Sequence, residues 1–152
     1  MMFTRVSQAI LLVGAIATST AASAADEWQV RTSPYSVPET LTRLTAAIEG
    51  AGARIAAVMD HADVAAEADI EREPTTVVIF DDPENGSPAR LEEDRIGLNL
   101  PLRILVWEDG GATMVGYVDP GGVSTRYEMV GDSSSVVMIE AALERLTNPG
   151  IT

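Results

Sequence analysis

The stretch Thr75–Pro120 decides the fold: it begins TTVVIFDDPENGSP (75–88) and ends NLPLRILVWEDGGATMVGYVDP (99–120). Its apolar runs are rich in β-branched and aromatic residues, which is typical of strands. The continuous run Thr75–Phe80 predicts a strand buried on both faces. Asp109-Gly110-Gly111 lies between Leu102–Trp107 and Thr113–Val118, and this turn signal predicts a β-hairpin.

Upstream of this stretch, the sequence predicts two more strands and a long helix. Trp28–Thr32 and Arg54–Met59 have the composition of short strands. Between them, Ser36 and Glu39 have the spacing of a capping box, in which each side chain bonds the backbone amide of the other residue. Apolar residues at helical spacing follow, so we expect a helix over Val37–Ala51.

The connections on either side of Thr75–Phe80 are predicted to differ in kind. Asp60 or Asp63 is expected to cap a short Ala-rich helix that ends near Asp69. Asp81–Pro88 is rich in turn-forming residues and predicts a loop, with a short helical turn over Pro88–Asp94.

The C-terminal part predicts an irregular segment and a final helix. Gly121–Ser135 lacks a periodic pattern, and Ser134 or Ser135 is expected to cap the helix. Its expected inner face consists of Val136, Ile139, Leu143 and Leu146. The predicted order is β-α-β-α-β-β-β-α, which indicates an α+β fold with helices on one face of a mainly antiparallel sheet.

The first 24 residues have the three-part plan of a secretory signal peptide. A lone arginine precedes an apolar core over Ala9–Ala17, and Ala22-Ser23-Ala24 forms an A-x-A cleavage site. We expect a periplasmic or secreted protein whose single domain covers residues 25–152, with no membrane segment after cleavage. The alternative is an uncleaved anchor, although a spanning helix needs about 20 apolar residues.

The charge of the chain is strongly negative. It contains 23 acidic residues, ten arginines and no lysine, and removal of Arg5 with the signal leaves a net charge of −14. Such a surface repels nucleic acid, so we expect no nucleic-acid partner. The acidity serves either solubility or the collection of cations. Cysteine is absent, which excludes disulfides, thiol nucleophiles and thiolate metal sites.

An ordered set of short motifs resembles the DUF302 family, a group of small α+β domains of unassigned function. The motifs are Ser36/Glu39, Asp60-His61, Phe80 with Pro83, Gly86 and Pro88, Leu100-Pro101-Leu102-Arg103, Val106–Asp109, and Asp119-Pro120. The similarity covers about Val30–Asp119 and extends more loosely through the last helix. It implies a curved sheet of the TATA-binding-protein-like kind, and a homodimer.

The chain departs from the family pattern in two places. Asp81-Asp82 stands where members usually have Gly-Asn, and Arg126-Tyr127 stands where a His often follows the Arg. If that His is needed for function, this copy is altered or inactive.

His61 is the sole histidine of the chain, and it directly follows Asp60. An imidazole held by a carboxylate is the geometry of a general base, and a neutral imidazole is a common metal ligand. The competing interpretation is that Asp60 or His61 only caps the short helix. One histidine leaves no room for a two-histidine metal site, and we predict no metal site.

Four further features are candidates for ligand binding. Pro83 and Gly86 belong to the loop after Thr75–Phe80, which is otherwise a solvated turn where Gly86 supplies a positive φ. Arg103 either pairs with an acidic residue on a neighbouring strand or clamps a carboxylate ligand. Glu108 lies at the end of the same strand, and Asp119 begins the Asp-Pro motif after the last strand.

Together these features predict a non-catalytic module that binds a small ligand or a partner. The alternative is an enzyme, or a metal or redox accessory factor, centred on Asp60-His61. The sequence names no cofactor.

Overall fold

The computed structural model describes residues 28–126 and 134–152, and the predicted signal peptide and Tyr127 lie outside this part. The strands are β1 (Trp28–Ser33), β2 (Arg54–Asp60), β3 (Thr75–Asp81), β4 (Leu102–Asp109) and β5 (Ala112–Val118). They pair antiparallel in one sheet with the spatial order β1-β5-β4-β3-β2. The α+β fold and its mainly antiparallel sheet are therefore confirmed.

The helices connect and follow these strands. They are α1 (Val37–Gly50), α2 (His61–Ala66), α3 (Pro83–Glu92), a 3-10 helix (Asp94–Leu98), α4 (Gly121–Arg126) and α5 (Ser134–Leu146). Among the described residues, no helix has the length and apolar content that a bilayer crossing requires.

One core joins the helices to a single face of the sheet. Alternate residues of the central strands, such as Phe80 on β3 and Ile104 on β4, are fully buried there. They pack in one cluster with Leu44 and Ile48 of α1 and with the inner face of α5. The inner face predicted for α5 is confirmed, because Val136, Ile139, Leu143 and Leu146 are all buried.

The opposite face of the sheet, here called the open face, carries the other set of alternating residues. Val77 and Ile79 on β3 are only half-buried there, and Val30 on β1 and Met59 on β2 are exposed by 44% and 45%. The expectation that Thr75–Phe80 would be buried on both faces was therefore wrong. Its apolar run reflects one core face and one apolar surface.

The loop predicted over Asp81–Pro88 is instead the first half of α3. The carboxylate Oδ1 of Asp82 accepts from the backbone N–H groups of Glu84 and Asn85, at 3.1 and 3.2 Å, so Asp82 is the N-cap. Pro83 follows at the first helical position, where a missing N–H costs nothing. The prediction that Gly86 supplies a positive φ in a solvated turn was also wrong. This residue is helical and buried, and its φ is not positive.

The capping box of α1 is half confirmed. The Ser36 hydroxyl accepts from the Glu39 amide at 3.4 Å, as predicted. The Glu39 carboxylate, however, accepts from Arg43 one turn later, at 2.9 Å. Because Glu39 and Arg43 are four residues apart on the helix surface, this pair competes with the return bond to Ser36.

Candidate functional site

A cavity of about 270 Å³ lies at one end of the sheet, where β4 begins and β5 ends. We call it the rim cavity. Its walls are mostly apolar, and four polar residues interrupt them. The lining consists of Ile96, Asn99, Leu100, Leu102, Arg103, Val118, Asp119, Pro120, Arg126, Val136, Ile139 and Leu143.

The topology explains why these residues meet. Leu102 and Arg103 are the first residues of β4, and β5 runs antiparallel to β4, so the segment after Val118 arrives at the same end of the sheet. The inner face of α5 and Ile96 of the 3-10 helix close the apolar side. The cavity therefore lies where the end of the sheet meets the core that the sheet and the helices enclose.

Asp119 is fixed at the cavity by two hydrogen bonds. Its Oδ2 accepts from Gln29 Nε2 of β1 at 3.0 Å, and its Oδ1 accepts from the backbone N–H of Gly121 at 2.7 Å. A Cβ at Gly121 would lie 3.0 Å from that same oxygen, so a side chain there would disturb the contact. Asp119 thus ties the start of α4 to β1.

The two arginines of the cavity differ from most others in the chain. Of the arginines that the structure describes, five lie within 3.8 Å of a carboxylate: Arg31, Arg43, Arg54, Arg90 and Arg95. Arg103 and Arg126 have no ion pair with any carboxylate among residues 28–126 and 134–152. The cross-strand acidic partner considered for Arg103 is absent on β3, where its neighbour is Ile79.

Acidic residues of α5 lie near Asp119. Burial raises the pKa of Glu140, and the charges of Asp119 and Glu144 raise it further. Burial also raises the pKa of Tyr117, with a second contribution from Glu144. Glu144 itself lies 3.8 Å from Arg31. The negative charge is therefore concentrated on the β1 side of Asp119.

Asp60 and His61 lie at the opposite end of the sheet. Asp60 pairs with Thr76 and Thr75 pairs with Trp107, whereas the rim cavity begins at Leu102. Five residues of strand separate the two ends, which is about 17 Å. The Asp60 carboxylate accepts from the amides of Ala62 and Asp63 at 2.8 and 3.2 Å, so the predicted capping role is confirmed for Asp60.

This geometry predicts that Asp60 and His61 contribute unequally to stability. Asp60→Ala should lower the free energy of unfolding by about 1 kcal/mol, because it removes the N-cap of α2. His61→Asn should change the free energy of unfolding by less than about 0.5 kcal/mol if His61 is only the first residue of the helix. Urea denaturation of both variants measures this. A larger loss in His61→Asn than in Asp60→Ala would contradict the capping interpretation.

The remaining predicted residues occupy structural positions. Pro83 is the first residue of α3, and an added Cβ at Gly86 would lie 3.7 Å from Leu100, a residue of the cavity wall. Glu108 lies at the far end of β4, where its backbone N–H donates to the Pro74 carbonyl at 2.9 Å. No cluster of metal-ligating side chains occurs among the residues that the structure describes.

The structure thus brings together Arg103 and Asp119, and it adds residues that the sequence analysis missed. Arg126 and Asn99 line the same cavity, and so does the inner face of α5. The sequence carried one signal for Arg126, the family position at which an Arg is often followed by His. Nothing in the local pattern distinguished Asn99.

Comparison with known proteins gives a family and a fold. The family described as "Domain of unknown function DUF302" matches residues 29–148. The crystal structure of an uncharacterized conserved DUF302 protein from Bacillus stearothermophilus superposes with a TM-score of 0.73 at 17% identity. The match covers 78% of this chain and 94% of that one. At this identity, the comparison establishes the shared fold.

Curated relatives come from Brucella. A protein named fluoride-specific ion channel FluC 1 from Brucella suis biovar 1 is 36% identical over 107 residues, which cover 70% of this chain and 42% of the relative. A protein with the same name from Brucella abortus biovar 1 is also 36% identical over 107 residues, and the match covers 39% of that protein. The matched region therefore spans about two fifths of the length of these relatives.

Proposed function

The chain belongs to the DUF302 family, and we propose that it is an exported, non-catalytic module that binds a small molecule in the rim cavity. The observation that carries this proposal is the composition of the cavity. Apolar walls enclose about 270 Å³, and a few polar residues, among them Arg103, Asp119 and Arg126, interrupt them. Small-molecule sites characteristically combine apolar walls with a few well-placed polar groups.

Export is proposed from the first 24 residues, whose charged start, apolar core and A-x-A site occur in the order that a signal peptide requires. The chain contains no cysteine, so packing alone stabilises the domain and no disulfide is needed. The absence of cysteine is therefore compatible with an exported location.

The polar groups at the two ends of the sheet make structural hydrogen bonds, and this favours a non-catalytic role. Asp60 holds the first amides of α2, so its carboxylate is engaged in a structural contact beside His61. In the rim cavity, Asp119 accepts two hydrogen bonds that fix neighbouring segments. An enzyme or accessory factor centred on Asp60-His61 remains the alternative, and it gains no support from either arrangement.

Binding in the rim cavity can be tested by narrowing it. Val118 lines the cavity and is 51% exposed, so Val118→Trp should reduce the space without disturbing the core. The matched control is Val137→Trp, an equally exposed position on α5 outside the cavity. Fluorescence titration with 2-naphthol, a small neutral dye that matches the size of the cavity, should show one saturable site in the wild-type protein and the control, and at least tenfold weaker binding in Val118→Trp.

Two results would contradict the cavity as a binding site. One is equal affinity of all three proteins for the dye, and the other is the absence of saturable binding in the wild-type protein. Light scattering on the same samples checks that both tryptophan variants keep the wild-type oligomeric state.

We also propose that the module is a homodimer formed through the open face. Four of its apolar side chains are at least 44% exposed: Trp28, Val30, Met59 and Val118. A contiguous apolar surface of this kind is uncommon on a monomer. Five strands of six to eight residues give a face of roughly 500 Å² in projection. A standard interface buries roughly 800 Å² of accessible surface per partner, so a dimer would use essentially the whole of this face.

The charge distribution favours a second copy as the occupant of this face. Two chains with a net charge of −14 repel each other over most of their surfaces. On the open face, the acidic residues Asp81 and Asp109 lie only at strand ends. Asp81 is also paired with Arg54 and Arg90, at 3.8 and 3.2 Å. Two copies can therefore approach through this face with little repulsion between their carboxylates.

A further inference from the structure

We infer that the ligand of the rim cavity is a monoanionic organic acid with an apolar body, whose carboxylate is bound by Arg103 and Arg126. This inference rests on the proposed function and adds the chemical class of the ligand. It follows from the charge balance of the cavity, the position of Asp119, and the size and composition of the walls.

The charge balance of the cavity is opposite to that of the chain. The whole sequence carries a net charge of −13, but the cavity lining contains two arginines and one aspartate. Neither arginine has a carboxylate partner among the described residues, although the chain offers an excess of acidic side chains. A bound carboxylate would give both arginines a partner, and it would bring the three charges of the lining to overall neutrality.

Asp119 acts in this arrangement as a positioning residue. Because its two oxygens accept from Gln29 Nε2 and from the Gly121 amide, they are directed to β1 and to the start of α4. Arg126 is the last residue of the same short helix. The contact between Asp119 and Gly121 therefore fixes the helix that carries Arg126 to the cavity.

The walls require the rest of the ligand to be apolar and small. The side of the cavity formed by Leu102, Ile139 and Leu143 belongs to the buried core. A volume of about 270 Å³ equals that of about nine waters in the liquid, which accommodates an acid of roughly ten non-hydrogen atoms. A phosphate monoester is a poorer match, because its two negative charges together with that of Asp119 would exceed the two positive charges of the lining.

Three probes with the same number of carbon atoms separate the contribution of the head group to affinity from that of the apolar body. They are octanoate, octanamide and octylamine. Calorimetric titration at pH 7.5 should show binding of octanoate, about 10- to 100-fold weaker binding of octanamide, and no binding of octylamine. The expected difference corresponds to the loss of charge-assisted hydrogen bonds. Arg103→Gln and Arg126→Gln should each reduce affinity for octanoate by about tenfold or more and leave affinity for octanamide nearly unchanged.

The control variant is Arg54→Gln, which removes an exposed arginine outside the cavity and should leave both affinities as in the wild-type protein. Equal binding of octanoate and octanamide would overturn the inference and leave the proposed function standing. The same holds if the fluorescent dye binds and none of the three probes does. If neither the dye nor any probe binds, the proposed function fails as well.

Sodium fluoride provides a bare anion for comparison, because relatives of this chain are named as fluoride-specific ion channels. We expect no heat of binding from fluoride and no displacement of octanoate. Saturable fluoride binding that Arg103→Gln abolishes, together with no octanoate binding, would replace the inferred organic acid by a small inorganic anion.

Discussion

Phe80→Ala should lower the free energy of unfolding by about 3–5 kcal/mol, because Phe80 is the largest fully buried side chain of the described domain. Phe80 lies near the C-terminal end of β3, and its side chain belongs to the core. It pairs in register with Ile55 of β2 and with Leu102 of β4. Removing the ring leaves a cavity between the sheet and the helices. The backbone of β3 cannot move to fill this cavity, because it is hydrogen-bonded to a strand on each side. Domains of this size are stable by about 5–15 kcal/mol, so the loss is a large fraction of the total.

Leu91→Ala is the control for this prediction. Leu91 lies on α3 and is 90% exposed, so its removal should change the free energy of unfolding by less than about 0.5 kcal/mol. Urea denaturation followed by circular dichroism measures both variants under the same conditions. A loss below about 1 kcal/mol in Phe80→Ala would show that the core around β3 is packed differently.

The strands and the long helices were predictable because each has a local signal that agrees with its tertiary environment. The Gly110-Gly111 turn has the positive φ angles, 58° and 83°, that its sequence predicts. The inner face of α5 has the helical spacing of a buried stripe. Where local preference and packing agree in this way, the pattern of the sequence is sufficient to locate the element.

The helix α3 was missed because two of its signals point in opposite directions. Asp82-Pro83-Glu84 is a helix start, with a capping side chain and a proline at the first position. Asn85, Gly86 and Pro88 favour a turn, and this second signal predicts a loop. The structure keeps the helix because Gly86 lies against Leu100 and the Ser135 hydroxyl of α5 donates to Glu92. These contacts are long-range and cannot be deduced from the local sequence.

The candidate site was predictable only in part for the same reason. Arg103 and Asp119 are each indicated separately, by the family resemblance and by their place at strand ends. Their meeting in one cavity depends on the antiparallel return of β5, which the hairpin signal implied. The addition of Arg126 and α5 depends on how α4 and α5 pack at the end of the sheet. The chemistry of Asp60 and His61 indicates a site, but capping explains Asp60 without a ligand.

The dimer proposed through the open face predicts that a single charge there should dissociate it. Val30→Glu and Met59→Glu place a carboxylate where the side chain is about half exposed in the single chain, so each isolated subunit should fold normally. In a two-fold interface, each substitution appears twice. Burying two unpaired carboxylates costs several kcal/mol, which weakens association by at least about 100-fold.

The control for this experiment is Val58→Glu, which differs from Met59→Glu by one residue along β2. Successive side chains of a strand point to opposite faces, so Val58 lies on the helix side, and it is 53% exposed. Light scattering across micromolar concentrations should give twice the chain mass for the wild-type protein and Val58→Glu, and the mass of one chain for Val30→Glu and Met59→Glu. A wild-type monomer would refute the dimer. A dimer that persists in both open-face variants would show that the interface lies elsewhere, and the exposed edge of β1 or β2 would be the next surface to test.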